Sequence, residues 1–155
     1  MKSVICKVLA LALCMSLLPM YAAAEETAVD ISKSTAITAT GYSSTGFLTD
    51  GDTKTYKTSD GNAVLTLENE EGMAGLYLLF DLEYGEYTIK DNTTGKTMPA
   101  GAYSMLHEYI DLTAAFGEMP TSISLLFENG KVRLSEISVF AQGALSEKVQ
   151  VWNAP

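Results

Sequence analysis

The stretch whose side chains could do chemistry is Leu48-Thr49-Asp50-Gly51-Asp52-Thr53-Lys54-Thr55-Tyr56. Asp50 and Asp52 flank a glycine, and the Thr55 hydroxyl follows shortly after. Gly51 has no Cβ, so the chain can turn sharply between the two acids. A hard cation such as Ca²⁺ takes roughly six to eight oxygens and accepts carboxylate, hydroxyl and carbonyl alike. A tight loop holding Asp50, Asp52 and Thr55 supplies several of these, and a bound cation would offset the repulsion between the acids. The same residues also make an ordinary acidic turn that binds nothing, because Asp-Gly is a common turn pair. The EF-hand template does not fit. Gly51 lies between the acids instead of after the third ligand, and Lys54 stands where that ligand belongs.

Other catalytic chemistry is hard to assemble. Beyond residue 24 the chain has one histidine, His107, and no cysteine. A zinc site needs about three or four protein ligands, mostly nitrogen or sulfur. His107-Glu108 opens like a zinc-protease motif, but Asp111 stands where the second histidine is needed. A Ser-His-Asp triad would have to use His107, and Gly41-Tyr42-Ser43-Ser44-Thr45 only loosely resembles a nucleophile elbow. Nineteen acids make carboxylate pairs unavoidable, so a pair carries no information about glycoside hydrolysis. No dinucleotide-binding or P-loop glycine pattern is present. The expectation is a non-enzyme, with His107 half covered on a strand.

The elements that must position the acidic turn begin with an export signal. Lys2 and Lys7 precede the apolar run Val8 to Leu18, and Ala22-Ala23-Ala24 reads as a cleavage site before Glu25. Residues 1–24 are therefore expected to be a signal peptide, with no membrane insertion after its removal and a secreted or cell-surface location. Both cysteines, Cys6 and Cys14, fall inside it, so the exported domain is expected to be held by its core without disulfides. All 19 acids and 8 of the 10 bases lie after residue 24, giving 8 − 19 = −11. Such a domain is a poor partner for nucleic acid or anionic membrane, and neutral sugars and cations remain open.

Residues 25–34 read as a polar lead-in, and 35–141 as one domain. Thr35 to Thr40 is β-branched and predicts a first strand. Gly41 to Asn62 shows little regular patterning and predicts a long connection. Ala63 to Glu68 alternates, while Ala74 to Asp81 is nearly all apolar and predicts a central strand buried on both faces. Gly85 to Lys90 alternates, and Pro99-Ala100-Gly101 predicts a break. Tyr103 to Leu112 reads as a strand, with one helical turn near Ala114 to Phe116. Asn129-Gly130 predicts a type I′ hairpin between strands at Ser122 to Phe127 and Lys131 to Phe140. Val149 to Trp152 could be a last short strand. Many short strands with turns between them indicate an all-β sandwich or barrel.

The loop Leu48-Thr49-Asp50-Gly51-Asp52-x-x-Thr55-Tyr56, paired with the late strand Val132-Arg133-Leu134-Ser135-Glu136-Ile137-Ser138-Val139-Phe140, resembles the discoidin or coagulation-factor type C domains. Their galactose-binding-like jelly-roll β-sandwich underlies many carbohydrate-binding modules. The resemblance covers about residues 35 to 141. It implies that the first and last strands lie close together around a structural Ca²⁺ held by Asp50, Asp52, Thr55 and Glu136, with backbone carbonyls around Leu48. Tyr56 stands where the family often has tryptophan, and it is expected to pack into the core. A narrower resemblance links Leu106 to Leu112, Asn129-Gly130 and the tail Val149 to Pro155 to the region before the catalytic domain of exported deacetylases of the PIG-L (LmbE-like) family. It implies a non-catalytic accessory domain, with 142–155 a linker toward a catalytic domain absent from this chain.

With that fold the expected ligand class is an extracellular glycan. Sugar sites pair a flat ring with amide, acid or hydroxyl groups, which points to Tyr42, Asn92 and Tyr103 in or beside loops. The alternative is a structural domain that braces a catalytic partner and binds no sugar.

Overall fold

The computed structural model describes residues 29–82, 84–100 and 107–141. The expected signal, Tyr103, the linker and the short strand at 149–152 lie outside the described residues. Among the described residues, nine strands form two antiparallel sheets. In chain order they are β1 (Ala36–Thr40), β2 (Lys57–Thr58), β3 (Ala63–Glu68), β4 (Gly75–Phe80), β5 (Tyr87–Asp91), β6 (Thr97–Ala100), β7 (His107–Asp111), β8 (Ser122–Phe127) and β9 (Arg133–Phe140). One short helix, α1 (Leu112–Phe116), lies between β7 and β8. It is capped by the Asp111 carboxylate, which accepts from the Ala114 amide at 2.8 Å. The sheet orders are β1-β3-β8-β5-β6 and β2-β9-β4-β7.

The two inner faces follow from alternation. Ala63, Leu65 and Leu67 of β3 point inward and pair with Phe127, Leu125 and Ile123 of β8. Leu76, Leu78 and Phe80 of β4 and Leu134, Ile137 and Val139 of β9 meet them from the second sheet. Leu78 is fully buried, and β4 lies between β9 and β7, as its apolar run predicts. The expected burial of both faces does not hold. Tyr77 and Leu79 are only half-buried, because a two-layer sandwich turns one face of each sheet outward.

Two further expectations need correction. Asn129-Gly130 is no hairpin, because β8 and β9 belong to different sheets. Only Gly130 has positive φ there, at 97°, so the segment is a crossing between layers. It is tied down by Gly130 N donating to Asn62 Oδ1 at 2.9 Å and by Asn129 N donating to the Tyr84 hydroxyl at 3.2 Å. Pro99 does not break the chain; it sits within β6, opposite Thr88. β6 is an edge strand, where a residue without an amide hydrogen is tolerated.

From residue 29 onward the polar lead-in is seated on β9. Ile31 N donates to Val139 O at 2.8 Å, and Val139 N donates to Ser32 Oγ at 2.9 Å. Thus residues 29–32 lie along the end of β9, whereas β1 belongs to the other sheet.

The long connection predicted from 41 to 62 carries a 3-10 turn at Gly46–Thr49 and the short β2. It passes from the β1 edge of one sheet to the β2 edge of the other. Phe47 and Leu48 are buried in the core cluster along this connection. Its start demands glycine: Gly41 has φ +92°, and a Cβ there would stand 2.8 Å from Asn62 O.

Candidate functional site

The acidic turn leaves the core at Leu48, whose fully buried side chain anchors it. Asp50 Oδ1 accepts from Asp52 N at 2.8 Å, and Asp52 Oδ1 accepts from Lys54 N at 3.0 Å. These are Asx turns, the local bonds short acidic side chains favour. Thr55 Oγ1 donates to Asp52 Oδ2 at 2.8 Å. That bond and the Lys54 amide hold the exposed Asp52 carboxyl below the usual carboxylate range. Gly51 takes the positive φ, +81°, that the reversal needs.

Glu136 comes to the same place from 85 residues away. Gly51 N donates to its two oxygens at 3.4 and 3.2 Å. A bulge makes this possible. Leu79 pairs with Glu136 but Phe80 pairs with Leu134, so Ser135 is an extra residue in β9. The bulge shifts the alternation by one, letting Leu134 and Ile137 share the core while Glu136 sits under the turn. The Ser135 hydroxyl lies within hydrogen-bond distance of Thr53 O at 2.8 Å and Thr55 O at 2.6 Å and shares its one proton between them, stitching turn to strand.

Glu136 is 3% exposed. Burial pushes its carboxyl up to about 7; the Gly51 amide works against this, and the charges of Asp50, Asp30 and Asp52 add to it. The only salt bridge among the described residues, Arg133 to Asp81, lies elsewhere. A cation would therefore meet a buried carboxylate that has anions around it. The all-oxygen donors suit Ca²⁺ or a similar hard ion. The fit is partial, however. Among the described residues no three of His, Cys, Asp and Glu are grouped to hold a metal, and Asp52 and Thr55 are bonded to each other. An ion here would have to draw much of its coordination from backbone carbonyls.

The residues expected to touch sugar are placed differently. The Tyr42 hydroxyl donates to Val132 O at 2.8 Å, and its ring centroid lies 5.8 Å from that of Phe47. Burial raises its pKa well above the ordinary tyrosine value. Tyr42 is thus partly buried against the core, with its hydroxyl engaged within the fold. Asn92 is exposed, but its amide donates to Ser122 Oγ at 3.0 Å and accepts from Ser124 Oγ at 3.1 Å. Tyr103 lies outside the described residues. His107 falls on β7, opposite Leu79.

Tyr56 corrects a further expectation: it is 46% exposed and does not pack into the core. It directly precedes β2, an edge strand, and its neighbour Lys57 pairs with Leu134. The Arg133 guanidinium covers its ring, with Cζ 4.1 Å from the centroid. Arg133 also meets Asp81 at 2.6 Å. Sequence reading did not single out Arg133 or Asp81. One signal was available: Arg133 is the sole arginine of the chain.

No protein-family profile matches the chain, and no curated protein does. Solved structures do. CpGH89CBM32-6 produced by Clostridium perfringens superposes with a TM-score of 0.54 at 14% identity, covering 74% of this chain and 97% of that one. A pectin binding carbohydrate binding module matches with a TM-score of 0.52 at 17% identity, covering 77% and 96%. The lectin binding domain of Lectinolysin complexed with Lewis b matches at 0.53 and 11% identity, covering 70% and 92%. With two antiparallel sheets and almost no helix among the described residues, and with these neighbours, the chain has the galactose-binding-like β-sandwich fold.

Proposed function

We propose that this chain is a non-catalytic carbohydrate-binding module that acts outside the cell. The observation that supports this most is the fold match. The solved neighbours that it spans almost end to end are carbohydrate-binding modules, so the likeness extends over a whole binding unit. The signal-like first 24 residues and the acidic, cysteine-free remainder are consistent with export. A glycan array tests the reading: retention of one sugar class is the expected result, and no retention across broad classes would overturn it.

The proposal includes a structural cation between the Asp50 turn and β9, with Glu136 and Asp50 as side-chain ligands and Asp52, Thr55 and carbonyls near Leu48 contributing. The support is the buried Glu136 carboxylate among anions. When bound, the ion would neutralise that charge and stabilise the folded state by mass action. Calorimetric titration with Ca²⁺ tests it, and an absence of heat at millimolar ion would overturn it. We assign the module to the service of a deacetylase-type enzyme on the resemblance of Leu106 to Leu112 and the tail. A reading frame that continues past Pro155 into a His- and Asp-rich zinc motif is the expected result. One continuing into an unrelated domain would overturn it.

A second reading, a bracing domain that binds no sugar, is favoured by one observation. Tyr42 and Asn92 have their polar groups engaged within the fold. The same array separates the two.

A further inference from the structure

We propose that Tyr56, Arg133 and Asp81 form the sugar seat of the module, and that it takes an uncharged hexopyranose residue. This inference rests on the carbohydrate-binding reading above. Tyr56 is the only aromatic among the large apolar side chains left exposed in the described residues. Stacking of the C–H face of a pyranose needs such an open ring.

The ring is held in place before any ligand arrives. Arg133 covers one of its faces at 4.1 Å. Arg133 is itself held by the Asp81 carboxylate at 2.6 Å, and Asp81 N donates to Arg133 O at 3.0 Å. On the other side, the carbonyl of Thr55 accepts from Ser135 Oγ, so the residue before Tyr56 is fixed to β9. Three separate segments, the ends of the turn and β4 and the start of β9, thus meet at one surface point. A preorganised ring loses little freedom on binding.

The polar groups beside the ring match what a sugar offers. Asp81 accepts hydrogen bonds from hydroxyls, and the guanidinium donates to them. The charge of Arg133 is already matched by Asp81, and the chain carries a net charge of −9. A uronate or sialate would meet repulsion from that net charge and from the Asp81 carboxylate beside the ring. An uncharged ring meets none.

The test uses the whole protein and an array holding neutral hexosides and N-acetylhexosaminides beside uronides and sialosides. Retention on the neutral set is expected. With the glycan best retained, Tyr56→Ala should lower affinity at least tenfold while Tyr56→Phe stays within threefold of the parent. Arg133→Lys, which keeps charge but loses the planar stack, should lose several-fold. An unchanged melting curve for Tyr56→Ala confirms that the loss is not one of folding. Binding of a neutral glycan by the parent, with Tyr56→Ala within twofold of it, would overturn the seat and leave the carbohydrate-binding reading standing. Retention on acidic glycans alone would overturn the ligand class. No retention at all would overturn both the seat and the reading beneath it.

Discussion

The interior around β4 and the turn at Asp50 are built on opposite principles. Leu76, Leu78, Leu125 and Ile137 are fully buried and ask nothing of the solvent. Their contribution comes from area removed from water and from close packing. The turn is held by Asx bonds, the Ser135 hydroxyl and an amide resting on a buried carboxylate. Its stability depends on whether Glu136 carries a proton or a charge. The contrast teaches that the interior makes the fold while the flank makes it responsive. Changes in pH and cation should be felt at the turn and hardly at all in the sandwich.

The largest break in that contrast is Leu78→Ala. Truncating a fully buried leucine should cost about 2–5 kcal/mol in urea unfolding, equally with Ca²⁺ and with chelator. A loss that changed with the ion would mean interior and flank are not separable. Next comes Asp50→Ala. If the turn holds an ion, the parent gains about 2.7 kcal/mol when free Ca²⁺ is a hundred times its Kd. The variant should forfeit most of this, and in chelator it should differ from the parent by less than about 1 kcal/mol. Equal losses in both conditions would remove the ion from the account.

The pH response sharpens the same line. In chelator, folded Glu136 keeps its proton up to about 7, whereas its ordinary value is 4.5. Between these values the folded state binds more protons than the unfolded one. The contribution of this group is therefore complete at the acid end of the window and declines as pH rises toward 7. Melting temperature should fall over that range, and Glu136→Gln should flatten the slope. A slope unchanged by the substitution would place the titration elsewhere. The smallest effect belongs to Tyr42→Phe. Losing the bond to Val132 O should cost about 0.5–1.5 kcal/mol and leave glycan retention unchanged. A clear loss of retention would restore Tyr42 to the binding surface.

Much of the architecture was legible where the signal is local. β3 and β8 match their expected bounds because strict or near-strict apolar alternation marks a strand with one buried face. The helical turn after β7 and the long connection before β3 were legible too. The misreadings share a cause. Asn129-Gly130 carries the chemistry of a tight turn, but which strands pair is decided by distant partners, and here they lie in separate sheets. Pro99 is compatible with a strand only because β6 lies at an edge, and edge position is a property of the whole sheet. Tyr56 has the composition of a core residue, yet an edge strand and the Arg133 contact turn it outward.

The amino-acid order alone determined an all-β chain with an acidic turn at Asp50 to Thr55 and no thiol beyond residue 24, because alternation, turn residues and composition are read within a few neighbours. Only the tertiary structure decided that Gly51 rests on Glu136, that a bulge at Ser135 changes which side chains of β9 face the core, and that Tyr56, Arg133 and Asp81 meet. Those facts depend on strand register and sheet pairing between segments as many as 85 residues apart, and a one-residue shift in register reverses the face of every side chain.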